Sequence, residues 1–232
     1  EDFEPEKVNT FEVGFKTLLG NRLLIDAYYF YSAYNDFIAE IDFTQAVAAG
    51  DADASDGFSP VSGFDASSNA GQDAIINDAV VGGRLQRYGF DVNADGTVEA
   101  QGWAVSADYT LDGGYGIGGN VAYNELISQQ DLIDQGFRAS FNTPKWRYNL
   151  KFYNREIIDN LGFNVNYRWQ DAFIWESSFG QGVVPAFSTL DAQVSLKLPA
   201  YNSLLKFGAS NLLNERYETS LGNPTMGAVY YV

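Results

Sequence analysis

Trp103-Ala104-Val105-Ser106-Ala107-Asp108-Tyr109-Thr110-Leu111, then Asp112-Gly113-Gly114, then Tyr115-Gly116-Ile117-Gly118-Gly119-Asn120-Val121-Ala122-Tyr123-Asn124, is the stretch whose reading decides the fold. Trp103, Val105, Ala107, Tyr109 and Leu111 alternate with Ser106, Asp108 and Thr110. Beyond the break, Ile117, Gly119, Val121 and Tyr123 alternate with Asn120 and Asn124. Period two sends apolar side chains to one face of an extended chain and polar ones to the other. Asp-Gly-Gly is turn chemistry, so the stretch predicts an antiparallel hairpin with two unlike faces.

The same alternation recurs on both sides of this hairpin. Upstream, Phe11, Val13, Phe15 and Leu19 oppose Glu12 and Lys16; after a Gly20-Asn21 turn, Leu23, Ile25, Ala27, Tyr29 and Tyr31 oppose Arg22, Asp26, Ser32 and Asp36. Downstream, Trp146, Tyr148, Leu150 and Phe152 oppose Arg147 and Lys151, and Phe163, Val165, Tyr167 and Trp169 oppose Arg168. Leu190, Ala192, Val194, Leu196 and Leu198 then oppose Asp191 and Lys197, and Leu205, Phe207 and Ala209 oppose Lys206. With a short segment at Gly227 to Val232, nine strands are expected.

A soluble β-sandwich also alternates. Two features favour a membrane barrel. Short connections (Gly20-Asn21, Asp112 to Tyr115, Arg155 to Asn160, Pro199 to Ser203) take turns with long ones (Phe37 to Gln101, Glu125 to Lys145, Gln170 to Phe187, Leu212 to Met226). In an up-and-down sheet this gathers the long loops on one rim, as in outer-membrane barrels. Strands of about ten residues, tilted by roughly 40°, also match the ~25 Å apolar band, and Tyr29, Tyr31, Trp103, Trp146, Tyr148, Tyr167 and Trp169 near strand ends suit the headgroup level. The expected class is all-β, a transmembrane antiparallel up-and-down β-barrel. Nine is odd where bacterial single-chain barrels close with an even number, so the chain reads as part of a larger barrel.

Composition narrows function. The 232 residues contain no His and no Cys, which excludes a His-based triad, a thiol nucleophile, a disulfide framework and a His or Cys zinc site. A formal charge of −16 argues against nucleic acid as a partner. No run of 18 apolar residues is present, and the opening Glu1-Asp2-Phe3-Glu4-Pro5-Glu6 does not read as a signal peptide.

Four segments carry a resemblance to the C-terminal half of the barrel of TonB-dependent outer-membrane receptors: Pro5-Glu6-Lys7 with Phe11-Glu12-Val13-Gly14-Phe15-Lys16, Asn142-Thr143-Pro144-Lys145, Thr189-Leu190-Asp191-Ala192, and Ser210-Asn211-Leu212-Leu213-Asn214-Glu215-Arg216-Tyr217. Each sits at a strand boundary, in the family's order. The resemblance implies that residues 1–232 form about the last nine strands of a 22-stranded barrel whose lumen holds a plug, with the plug and earlier strands outside this chain. It further implies the outer membrane of a Gram-negative bacterium as location and outer-membrane lipid as surroundings. The implied function is capture of a scarce ligand and its import by TonB-coupled active transport, with TonB acting through the missing N-terminal region. A surface lipoprotein or larger complex is a further candidate partner. No enzyme activity, catalytic residue or cofactor is expected.

Site candidates follow from both readings. Glu12, Lys16, Asp26, Asp108, Arg147, Lys151, Arg168, Asp191, Lys197 and Lys206 are expected to face the lumen and the plug. Loop aromatics Phe173, Trp175, Phe179 and Tyr88 are candidate ligand contacts, with packing among the loops as the plain alternative. In the long loop, Phe58, Phe64 and Phe90 could serve as anchors beside Tyr88, and Asp51, Asp53 and Asp56 read as a solvated acidic cluster. Asp91, Asn93 and Asp95 before Gly96 resemble the start of a calcium loop, but the twelfth position is Gly102, which favours a plain turn. A passive porin-like barrel without TonB coupling and a secreted carbohydrate-binding sandwich remain the alternatives.

Overall fold

The computed structural model describes residues 3–46, 85–138, 140–177 and 180–232. Its strands are β1 (Lys7–Leu19), β2 (Leu23–Asn35), β3 (Ile38–Ala46), β4 (Leu85–Asn93), β5 (Thr97–Thr110), β6 (Tyr115–Leu126), β7 (Trp146–Ile158), β8 (Leu161–Gln170), β9 (Phe173–Ser177), β10 (Gly180–Val184), β11 (Phe187–Leu198), β12 (Ser203–Ser210) and β13 (Val229–Tyr231). One short helix, α1 (Gln129–Asp134), lies between β6 and β7. Nine strands form a single antiparallel sheet in the order β1-β2-β5-β6-β7-β8-β11-β12-β13, so the expected nine are found and each pairs with its sequence neighbour in the sheet. The sheet does not close on itself; β1 and β13 are its two ends.

Cross-strand partners share a face, so the register tests the alternation directly. One lateral row runs Val13–Tyr29–Trp103–Tyr123–Trp146, and another runs Leu23–Tyr109–Ile117–Phe152–Val165–Ala192–Ala209. On the opposite face a row runs Lys16–Asp26–Ser106–Asn120–Asn149–Arg168–Thr189. No second sheet covers the apolar face among the described residues: the two remaining sheets are two-stranded hairpins, β3–β4 and β9–β10. Phe11, Leu150 and Phe207 are 62%, 55% and 45% exposed there. A soluble monomer rarely leaves so continuous an apolar surface open, and this sets the sandwich aside.

The strands are longer than expected. β1, β2 and β7 have 13 residues and β5 has 14, which at ~3.3 Å per residue and a tilt of roughly 40° exceeds the ~25 Å band. The ladder therefore continues above the apolar zone at the long-loop end. At that end the ring hydroxyls of the apolar face find polar partners: Tyr31 donates to Glu99, Tyr29 donates to Gln101 at 3.2 Å, and Gln101 and Lys145 both donate to Glu125 at 3.1 Å. Trp103, Tyr123 and Trp146 pack together one row below Gln101 and Glu125, with centroids 4.9–6.3 Å apart, the kind of aromatic cluster that suits the headgroup level.

The short turns explain themselves. Gly20 and Asn21 both have positive φ (55° and 56°), and Asn160 and Asn202 take the same left-handed region in the next turns, a conformation that Gly and Asn adopt most readily. At this rim Arg22 donates to Asp112 at 2.8 Å, and that hydrogen bond holds the guanidinium pKa above its ordinary value.

The polar face contains a pattern that alternation alone does not disclose. Phe30, Tyr153 and Tyr231 each pair with a glycine, Gly102, Gly116 and Gly208, and each ring lies over its partner. A Cβ on Gly116 would fall 2.3 Å from Tyr153, and one on Gly208 would fall 2.4 Å from the Tyr231 hydroxyl. The glycines let large rings lie flat on the wall.

Candidate functional site

The polar face holds a trough of about 800 Å³ reaching from Asp26 and Tyr28 on β2 to Thr189 on β11. Its floor is made of small residues, Ala104 and Ser106 on β5 and Ala122 on β6, with larger side chains at the margins. All ten charged residues expected on the polar face share it by register: Glu12 beside Phe30, Lys16 opposite Asp26, Asp108 and Lys151 opposite Gly118, Arg147 opposite Ala122, Arg168 opposite Asn149, Asp191 opposite Asn166, Lys206 opposite Ser195, and Lys197 two residues along β11 from Ser195.

Pairing neutralises most of these charges. Lys16 meets Asp26 at 3.0 Å, Lys151 meets Asp108 at 2.6 Å, Arg168 meets Asp191 at 2.9 Å and Lys197 meets Glu156 at 3.4 Å. The Asp108–Lys151 pair bridges two strand gaps across Gly118, where a Cβ would lie 2.1 Å from the Asp108 carboxylate. Arg147 differs: among the described residues it has no ion pair or hydrogen bond.

Above the trough, the long connections are built elements and not simple loops. The segment after β2 continues as the β3–β4 hairpin, the β6–β7 connection holds α1, and the β8–β11 connection holds the β9–β10 hairpin. Ala39, Ala94, Val98, Ala100, Leu126 and Leu132 form a small core here with Tyr34, Phe37, Phe137 and Phe141 packed against it. Arg138, 8% exposed, joins all three connections: it pairs with Glu40 of β3 at 3.3 Å and donates to the Ser177 carbonyl of β9 at 2.6 Å. Buried Glu176 accepts from the Ser140 N–H and from Gln181, and its backbone exchanges hydrogen bonds with the Asn142 side chain.

All four motif segments meet this rim through named contacts. Glu6 accepts the Ile38 N–H, and Lys7 pairs with Asp36 at 3.1 Å. Asn142, with φ of 46°, clamps both backbone groups of Glu176. Asp191 accepts the Asn211 N–H at 2.8 Å and the Ser210 hydroxyl at 3.3 Å while also holding Arg168, so two motif segments join at one carboxylate. Asn211, 2% exposed with φ of 54°, bonds both backbone groups of Glu215, and Asn214 accepts the Ala228 N–H.

The candidate ligand aromatics do not form one cluster. Phe173 and Trp175 share a face of the β9–β10 hairpin with centroids 6.4 Å apart. Tyr88 lies in a different hairpin, on β4 opposite Phe43, and Phe90 is on the same strand opposite Ile41. Phe179, Phe58, Phe64, Asp51, Asp53 and Asp56 lie outside the described residues. Asp91 and Asn93 end β4, and the Asn93 amide is engaged by the Glu4 and Asp36 backbone, so this segment is strand and turn where a calcium loop would wrap its ion. No group of three or more acidic side chains able to hold a metal is found among the described residues. Sequence reasoning missed Arg138, Glu176 and the Phe187–Tyr217 stack at 4.2 Å, and it picked out Asn211 and Thr189 only as motif residues; their significance depends on contacts between segments far apart in the chain.

A family model described as TonB dependent receptor-like, beta-barrel matches residues 1–212. Among solved structures, a copper transporter, OprC, superposes with a TM-score of 0.63 at 14% identity, covering 98% of this chain and 30% of that one. The FrpB iron transporter from Neisseria meningitidis gives 0.59 at 13% identity (97% and 29% covered), and the siderophore receptor PirA from Acinetobacter baumannii gives 0.57 at 15% (99% and 31%). At these identities the likeness is one of fold, and the chain spans about 30% of the length of those structures. A search of curated proteins gives no match.

Proposed function

Because the chain belongs to the TonB-dependent receptor β-barrel family of the Gram-negative outer membrane, we propose that it forms part of the wall of a receptor that binds a scarce ligand outside and imports it by TonB-coupled active transport. The observation that carries this reading is the two-faced sheet: rows of apolar side chains that no second sheet covers among the described residues, and behind them a charged trough. The apolar rows meet lipid. The polar row from Glu12 to Lys206 lines the lumen and contacts the plug, which the remainder of the protein supplies. The connections joined by Arg138 stand at the external rim, where Phe173 and Trp175 contribute to ligand capture. OprC, FrpB and PirA are named for copper, iron and siderophores, which supports a small, scarce cargo. TonB acts on the segment preceding the plug.

The test is uptake together with placement. Nitroxides at Val165 and Leu196 in the full-length, lipid-reconstituted receptor should be accessible to oxygen and shielded from a polar nickel complex. Deleting the segment preceding the plug should abolish accumulation of the cargo while leaving surface binding intact. Aqueous surroundings at both labels would refute the wall placement. Uptake that survives the deletion would favour the passive porin-like barrel.

A further inference from the structure

The apolar face is not flat between its two aromatic clusters. Trp103, Tyr123 and Trp146 stand toward the long-loop end, and Tyr115, Phe152 and Phe163 pack together near the short-turn end with centroids 5.4–6.4 Å apart. Aromatic girdles mark both interfaces of a barrel wall, so the rows between these clusters are the ones that meet hydrocarbon. One of those rows shrinks to Ala107 on β5 and Gly119 on β6, directly opposite each other, while its neighbours carry Val105 and Val121 on one side and Tyr109 and Ile117 on the other. The outcome is a groove of about 560 Å³, bounded on β7 by Leu150. From Val105 to Tyr109 it runs about 13 Å at ~3.3 Å per residue. Its strands lie inside the sheet, with β2 on one side and β8 on the other, and it opens on the face away from the lumen, so its shape is set by described residues alone.

At the short-turn end the groove reaches two charges. Arg22 stands in the β1–β2 turn, its guanidinium beside the Tyr109 hydroxyl and paired with Asp112 at 2.8 Å. Both side chains stay open to solvent, Arg22 at 50% and Asp112 at 88% exposure. A guanidinium has five N–H donors and a carboxylate several acceptor positions, so one mutual contact leaves each able to engage a further group. A cation and an anion side by side give no net attraction to an ion of either sign. They complement a group that itself carries both charges in sequence.

We infer that the groove and the Arg22–Asp112 pair form a site for one phospholipid of the periplasmic leaflet with an ethanolamine headgroup. An acyl chain lies along Ala107 and Gly119, the phosphate accepts from Arg22, and the ammonium donates to Asp112. Short turns face the periplasm in such barrels, which fixes the leaflet. The charge pair fixes the headgroup: choline has no N–H to donate to Asp112, and a glycerol headgroup brings the phosphate without a cation. A chain lying in the groove gains dispersion contacts from its floor and both margins, which a flat wall does not offer. This inference rests on the reading that the apolar rows meet lipid.

The experiment is native mass spectrometry of the full-length receptor, released from detergent after titration with phosphatidylethanolamine, phosphatidylcholine and phosphatidylglycerol of identical acyl chains. One phosphatidylethanolamine should bind about fivefold more tightly than either other lipid, the difference that one exposed charge-assisted contact supplies. Ala107→Phe fills the groove and should abolish this tight site, whereas Ala192→Phe, elsewhere on the apolar face, should leave it unchanged. Asp112→Ala frees the Arg22 guanidinium and should turn the preference toward phosphatidylglycerol. Arg22→Gln should weaken binding of all three lipids. Equal affinity for the three lipids, or equal losses in the Ala107 and Ala192 variants, overturns the site. A receptor dimer that Ala107→Phe dissociates overturns it as well, by assigning the groove to a second copy. A nitroxide at Leu196 in lipid vesicles separates the two levels of failure: a lipid-facing label without selective phospholipid binding defeats the site alone, whereas a water-facing label defeats the wall placement on which it depends.

Discussion

Gly116 and Tyr153 offer a sharp test of how the polar face is assembled. The two residues are directly opposed across β6 and β7, and a Cβ on Gly116 would sit 2.3–2.6 Å from two ring carbons and the hydroxyl of Tyr153, where ordinary contact begins near 3.4 Å. Gly116→Ala therefore forces the ring more than an ångström away from the wall. A tyrosine ring buries roughly 150–250 Å² when fully covered, so uncovering about half of that costs ~2.5 kcal/mol at ~25 cal/mol per Å². Alanine regains ~0.5–1 kcal/mol of strand stability relative to glycine, leaving a net loss of ~1.5–2 kcal/mol. In a Tyr153→Ala background the clash is gone, and Gly116→Ala should be neutral or stabilising by ~0.5 kcal/mol. The assay is a double-mutant cycle by urea titration of the full-length receptor in lipid vesicles, and a coupling energy near 2 kcal/mol is expected. If Gly116→Ala costs the same in both backgrounds to within ~0.5 kcal/mol, the ring does not depend on the glycine and the pairing is incidental.

Three further outcomes are expected. Gly118→Val should part the Asp108–Lys151 bridge, but both side chains are more than a third exposed, so its electrostatic contribution is only ~0–1 kcal/mol; a shift larger than ~2 kcal/mol in the same urea titration would contradict that assignment. Arg138→Met removes the shared partner of Glu40 and Ser177 at a cost of ~2–3 kcal/mol to the rim alone; hydrogen exchange should accelerate in β3 and β9 while β5 to β8 keep their protection, and uniform acceleration would refute a local role. Asn211→Ala loses both hydrogen bonds to Glu215 and places a Cβ-bearing residue without an amide at positive φ, for ~2–3 kcal/mol; exchange should rise at Tyr217 and Met226, and unaltered protection there would show that the β12–β13 connection is held otherwise.

The legible part of this fold is the part governed by local periodicity. Trp103 to Leu111 and Leu190 to Leu198 announce their faces because a membrane wall sets lipid against water at every second residue, and the register keeps both sets together across the sheet. Turn chemistry was equally readable, since Gly20-Asn21 and Asp112-Gly113-Gly114 are selected by backbone conformation. What escaped is non-local. Tyr153 reads as one more polar-face aromatic until Gly116 is known to be its partner, 37 positions away in the chain. Arg138 is a single charge between Phe137 and Ala139 in sequence; its meaning comes from Glu40 and Ser177, on two other connections. The rim hairpins escape the reading for different reasons: Ile38 to Ala46 alternates at Glu40-Ile41-Asp42-Phe43-Thr44 but lies inside the long Phe37 to Gln101 connection, and Phe173 to Ser177 has only five residues.

The motif segments gain a physical account from the structure. Asn142, Asp191, Asn211 and Asn214 use their side chains on backbone groups of the connections, and Glu6 and Lys7 do the same work at β1 through Ile38 and Asp36. None of these side chains lines the trough, whereas Thr189 and Tyr217 of the same segments do. Their common task is to fix where a strand ends and a connection departs, a requirement that holds whatever the connection carries. A wall anchored in this way can accept different rim hairpins and different trough residues without re-registering its strands, because each connection is tied to the strand end by side-chain contacts at its base.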